Sequence, residues 1–156
     1  MSLDRDISLL QQVPILAAFS GDQLRLLAFS AETRKLQDGE TLFHAGERAE
    51  SGFLVVEGEI DLVRESSDSR QVVESLGVGS LMGEMAMITD ADRPITAVSR
   101  GPAEVIQIRR ALFRRIMEEY PDLAARLQSY IAGQVQKSAA EFNQARQALI
   151  EPEISR

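Results

Sequence analysis

The sequence predicts a mainly β protein with helices at both ends. Three observations predict it. Residues 32–108 break into short apolar runs separated by turn residues, residues 4–31 carry helical spacing, and residues 111–150 carry it again. With 156 residues, 44% hydrophobic and 26% charged, the chain has ordinary globular composition and the size of one domain spanning 1–156.

The elements follow in order. Leu9, Leu10, Val13 and Leu16 are spaced for a helix, and Ser20 followed by Gln23 is a capping-box signature ahead of Leu24, Leu26 and Leu27. Candidate strands are Thr33–Gln37, Thr41–His44, Gly52–Val56, Glu59–Arg64, Gln71–Leu76 and Glu104–Ile108. Glu59 to Leu62 alternates as a half-buried strand does. Turn signals fall between them at Asp38-Gly39, Ala45-Gly46, Glu57-Gly58, residues 66–69, Gly77 with Gly79, and Gly101-Pro102. Many short strands at this spacing predict a barrel or a sandwich. Ala111 to Glu119 is a helix that Tyr120-Pro121 breaks, and a last helix runs from Pro121 to about Ile150. At 1.5 Å per residue it is roughly 45 Å long, more than a small domain needs for its own core. Ile131, Val135, Ser138, Phe142, Ala145 and Leu149 form an unbroken heptad seam on it. The seam either packs on the barrel or pairs with a second copy. The length favours a homodimer through Ile131, Val135, Phe142 and Leu149.

Composition excludes several chemistries. No cysteine is present, so disulfides, thiol nucleophiles and cysteine-ligated metal centres are out. His44 is the single histidine, too few for a histidine-rich metal site. The net charge of −7 disfavours nucleic acid. The longest apolar run near the N-terminus, Val13 to Phe19, is far short of the ~20 residues of a spanning helix, so neither membrane nor signal peptide is implied and a cytoplasmic location is expected. Arg109, Arg110, Arg114 and Arg115 read as a solvated helix face, and 65–69 as a polar hairpin tip.

One stretch stands apart, from Gly77 to Ala97. Gly83 opens a short segment, Glu84-Met85-Ala86-Met87, which suits one helical turn whose leading N–H groups face an anion. Arg93 follows nine residues after Glu84. Its fork matches a phosphate, while a carboxylate can only accept and so calls for a hydroxyl or amine. A ligand with a phosphate and a sugar hydroxyl would satisfy both; a plain salt bridge between Glu84 and Arg93 is the alternative.

These residues resemble the cyclic nucleotide-binding domain family of the catabolite activator and kinase regulatory-subunit type. The likeness includes Val13 to Leu16 with Phe19, Asp38 to Phe43, Gly46 and Phe53 to Ile60, and above all Gly83-Glu84-Met85-Ala86-Met87 with Arg93, which is similar to that family's phosphate-binding cassette. The resemblance implies a jelly-roll-like antiparallel barrel (a double-stranded β-helix) with N-terminal helices and a long C-terminal helix. It implies backbone donors at Gly83 and Met85, a ribose 2′-hydroxyl partner in Glu84, and a phosphate partner in Arg93. Ala86, Pro94 and Ile95 complete the cassette, and Ser138 falls where dimeric members contact the base. Pro94 departs from the pattern, because it lacks the N–H that members offer the phosphate. It also lacks a hydroxyl that some members use on guanine, which favours cAMP over cGMP. His44 as a haem ligand would resemble a gas-sensing relative, but an ordinary strand histidine is the simpler reading.

The expected function is therefore a stand-alone, non-enzymatic cAMP sensor that acts on an unidentified protein partner, without a DNA-binding domain and without a cofactor. Ligand binding is expected to rearrange the C-terminal helices. The alternatives are an orphan dimerisation module that binds no nucleotide and, less favoured, a barrel metalloenzyme, for which one histidine is too few.

Overall fold

Two long antiparallel strands carry the architecture, in a computed structural model that describes residues 3–133. The chain opens with α1 (Leu3–Gln11), a 3-10 turn at Pro14–Leu16 and α2 (Gly21–Ser30). The strands β1 (Glu32–Leu36), β2 (Thr41–Phe43), β3 (Arg48–Ala49), β4 (Ser51–Glu65) and β5 (Arg70–Leu76) follow. After β6 (Leu81–Met82) come a 3-10 helix (Glu84–Met87), β7 (Ala91–Asp92), β8 (Thr96–Arg109) and α3 (Arg110–Glu119). Residues 121–133 are helical, after the break expected at Tyr120-Pro121. The chain divides into two compact units after Glu119.

The capping box forms as the sequence predicts. The Ser20 N–H donates to Gln23 Oε1 at 2.8 Å, and the Gln23 N–H donates to Ser20 Oγ at 3.2 Å, satisfying donors that the first turn of α2 would otherwise leave open.

Two of the expected turns do not reverse the chain. Glu57-Gly58 lies inside β4 and Gly101-Pro102 inside β8, so the expected strands Gly52–Val56 and Glu59–Arg64 merge into one of 15 residues, and Glu104–Ile108 is the second half of one of 14 whose first half, from Thr96, was not expected. The physical reason is that the two irregularities face each other. The β4–β8 register shifts between Val55 and Glu57 and again between Glu57 and Glu59. Gly58 (φ +79°) sits against the Pro102 carbonyl, where any Cβ would collide. Matched bulges bend both strands without ending them. Each half then takes its own partner. β8 pairs with β2 at Ala97 and Val98 and with β1 at 103–107, while β4 pairs with β6 at Phe53 and Leu54 and with β5 at 60–65. The result is the expected jelly-roll-like antiparallel fold with flanking helices, its sheet open rather than closed into a barrel. β3, β6 and β7 are only two residues long, too short to show a period in sequence.

Leu36, Phe43, Phe53, Val55, Ile60, Met82, Ala97 and Val105 form the core of the sheet. Burying each large apolar side chain contributes roughly 1.5–3 kcal/mol. Arg5 ties α1 to the sheet, donating to Glu104 Oε2 at 2.8 Å and Asp6 Oδ1 at 3.0 Å. Phe19 stacks on Phe113 with centroids 5.8 Å apart and holds α3 to the N-terminal helices. Of the heptad seam, Ile131 is half-buried in the helical stretch; Val135, Ser138, Phe142, Ala145 and Leu149 lie outside the described residues.

Candidate functional site

β6 delivers the chain to Gly83, which takes a left-handed φ of +73° and turns it into the 3-10 helix. The Ala86 N–H donates to the Gly83 carbonyl at 3.0 Å. The N–H groups of Glu84 and Met85, in that first turn, have no intrahelical acceptor. The helix is pinned from below: Ala86 and Met87 are each 1% exposed, and Met87 lies so close over Gly52 that a Cβ there would meet its sulfur at 2.6 Å. Glu84 is half-buried and Met85 exposed, so the opposite face is open.

Arg93 approaches from the far side of the same opening. β7 pairs with β3, the Arg93 N–H donates to the Glu47 carbonyl at 2.8 Å, and the Gly46 N–H donates to the Arg93 carbonyl at 2.8 Å. The side chain is 6% exposed. Nη2 donates to the Ser51 carbonyl at 2.9 Å. The guanidinium lies 4.4 Å from the Phe43 ring centroid and 5.3 Å from that of Phe53. Nη1 is buried with no hydrogen-bond partner. It sits where a Cβ on Gly83 would be, so glycine is required there for space as well as for φ. Burial pulls the Arg93 pKa down from its ordinary value, and Glu47 partly restores it. The guanidinium stays protonated.

Glu84 and Arg93 do not form the salt bridge that the sequence left open. Among the described residues neither has an ion-pair partner. A buried cation without an ion-pair partner is held at a cost that an arriving anion offsets.

Between them lies a cavity of about 490 Å³, within the range of small-molecule sites. Gly83, Glu84, Met85, Ala86, Arg93, Pro94 and Ile95 all line it, so every described residue of the expected set is brought together. Phe43, Leu62, Leu76 and Met82 supply apolar wall. Glu74 also lines it and was not anticipated. Period-2 alternation puts it on the same strand face as Leu76, but nothing in the sequence marks that face as a wall of the site. His44 is exposed, its backbone N–H donating to Glu47 Oε1 at 3.2 Å. Among the described residues no group of three or more acidic or histidine side chains is placed to hold a metal ion. Within the arginine cluster, Arg109 pairs with Glu32 at 3.0 Å and Arg110 with Asp90 at 2.8 Å, while Arg114 and Arg115 are exposed.

Residues 33–120 match the family profile described as cyclic nucleotide-binding domain. The chain belongs to the cyclic nucleotide-binding domain family. This cyclic nucleotide-binding domain is similar to a solved cyclic nucleotide-binding-like protein from Brucella abortus, at 41% identity and TM-score 0.70 over 72% of this chain and 97% of that one. The regulatory domain of Toxoplasma gondii PKA, solved with cAMP, shares the fold at TM-score 0.64 and 23% identity over 82% of this chain and 50% of that one. Lysophospholipase NTE1 of Pyricularia oryzae is 27% identical over 110 residues, 70% of this chain. The domain spans about 7% of the length of that curated relative. Among the described residues no helix is long and apolar enough to cross a membrane.

Proposed function

We propose that the cavity binds a purine 3′,5′-cyclic monophosphate, cAMP in preference to cGMP, and that binding rearranges the C-terminal helices. One observation carries the reading: Arg93 Nη1 is buried at the cavity wall with no acceptor. A cyclic phosphate supplies the missing anion and a second point of contact. Glu84, acceptor-only and without a partner among the described residues, takes the ribose 2′-hydroxyl. The N–H groups of Gly83 and Met85 face the phosphate. Ser138 is carried over from the family resemblance as a base contact. The absence of a hydroxyl at Pro94 supports adenine. The role is sensing rather than catalysis.

Transmission has a physical route. Asp90, in the loop after the 3-10 helix, accepts from Arg110 at 2.8 Å and lies 3.2 Å from Arg48. Arg110 Nη1 also donates to the Thr89 carbonyl at 2.7 Å. Arg110 is the first residue of α3, so an inward pull on the cassette acts directly on that helix.

Calorimetric titration with cAMP and cGMP tests the reading. Micromolar or tighter binding is expected, with cAMP ahead. Arg93→Ala is expected to lose on the order of 3 kcal/mol, about a hundredfold. Silence of the folded, ligand-free protein toward both nucleotides overturns it. That outcome supports the orphan dimerisation module, which Pro94 favours because it offers the phosphate no N–H. For the switch, a spin-label distance between the sheet and Leu127 must change on saturation with ligand; an unchanged distance removes it.

A further inference from the structure

Glu74 gives the cavity a second polar end. In the β4–β5 register it stands opposite Leu62, and it lies two residues from Leu76 on the same strand face. All three line the cavity. The acid on the adjacent β4 position, Asp61, is already engaged: Ser75 Oγ donates to it at 2.6 Å and Arg100 Nε at 2.9 Å. Arg70, the basic residue at the start of β5, is paired with Glu65 at 3.1 Å. Glu74 has neither an ion-pair nor a hydrogen-bond partner among the described residues, although it is exposed in a strand with cations at hand.

The charge layout constrains the ligand. Among the described residues lining the cavity Arg93 is the one cation, and it lies at the cassette. Glu74 lies on β5, away from the cassette in sequence and on a different wall. A carboxylate there repels a uniformly anionic ligand. It suits a molecule whose one end is anionic and whose other end carries N–H donors. An ionised carboxylate accepts two parallel bonds and contributes more than a neutral acceptor.

We propose that Glu74 is the base-reading residue of this site and selects a purine whose edge carries amino N–H donors. This inference rests on the cyclic nucleotide reading of the cavity. Two bases share that chemistry. Adenine offers its N6 amino group, and guanine offers N1–H together with its N2 amino group. A purine without an exocyclic amino group leaves the carboxylate desolvated and unpaired.

The test titrates the wild type, Glu74→Gln, Glu74→Ala and Arg93→Ala with cAMP, cGMP and the 3′,5′-cyclic monophosphate of unsubstituted purine riboside. The wild type is expected to bind at least one amino-bearing nucleotide about tenfold or more tightly than the unsubstituted one. Glu74→Ala brings that ratio to within about threefold, and Glu74→Gln falls between, because its amide still accepts one neutral bond. The nucleotide whose affinity falls in Glu74→Ala identifies the base as adenine or guanine. Circular dichroism melting confirms that the variants fold. A ratio that Glu74→Ala leaves unchanged, or a wild type that does not discriminate, overturns this inference alone, provided Arg93→Ala still weakens binding about a hundredfold. A wild type that binds none of the three overturns the cyclic nucleotide reading and this inference together.

Discussion

At the scale of the residue, the site turns on one atom, Arg93 Nη1, and on the residue that gives it room. Gly83 must hold φ at +73° and must lack a Cβ. Gly83→Ala therefore carries both a left-handed backbone penalty of about 1–2 kcal/mol and a displaced guanidinium. The expected outcome is a lower melting temperature together with loss of nucleotide binding. Retention of both would show that Arg93 can relocate freely. Pro94 acts in the opposite sense. Pro94→Ser restores an N–H and a hydroxyl beside the phosphate position, and titration should show roughly tenfold tighter binding. Gly83, Glu84 and Arg93 were legible in the sequence because they fall within one short segment, and Pro94 because the segment's resemblance to a known family made it a departure. The cradle of Arg93 was not. Ser51, Phe43 and Phe53 come from distant strands, and nothing local to Arg93 announces a carbonyl acceptor or an aromatic face.

At the scale of the element, the continuity of β4 and β8 depends on an irregularity in each that faces the other. Gly58→Ala places a Cβ against the Pro102 carbonyl, and a loss of about 2 kcal/mol or more is expected in denaturant unfolding. In Gly101→Ala the added Cβ meets nothing within 4 Å, although the φ of +72° keeps some strain. The smaller effect at Gly101 is the internal control. The loop after the 3-10 helix provides a pH prediction. Hydrogen bonding to Arg48, with the charge of Arg110, holds the Asp90 carboxyl below its ordinary value of 3.8. A depressed folded-state pKa means that the stabilisation is present above that ordinary value and is lost as pH falls through the lower folded one. The link between the cassette loop and α3 should therefore loosen only in strong acid, below about pH 4. Asp90→Asn should remove that phase and weaken transmission to the helices at neutral pH while nucleotide affinity stays within a few-fold. Transmission unchanged in the variant would mean that the Asp90–Arg110 contact is not the route.

At the scale of the whole molecule, charge and association dominate. A chain of net charge −7 does not draw an anion by its overall field, so the attraction must be local to Arg93. The heptad seam predicts a homodimer, and Phe142→Asp should shift sedimentation mass toward monomer by placing a charge in the seam. A mass unchanged by the substitution rules the seam out as the contact. Sequence alone determined what is written locally. The capping box at Ser20, the helix break at Tyr120-Pro121 and the mainly β class follow from spacings within a few residues, where backbone propensity and periodicity act, while the antiparallel jelly roll and the cassette from Gly83 to Ala97 followed from the resemblance that those residues carry to a known family. Only the tertiary structure decided whether Gly58 and Gly101 reverse the chain or bend it, because that depends on each facing the other across the sheet. The same holds for the ion pair between Glu84 and Arg93, which does not form because Arg93 turns to Ser51 and the two rings. It holds for Glu74, whose exposed strand position acquires meaning only when β5 closes a wall of the cavity. Pairing across the sheet sets distances that no spacing along the chain contains.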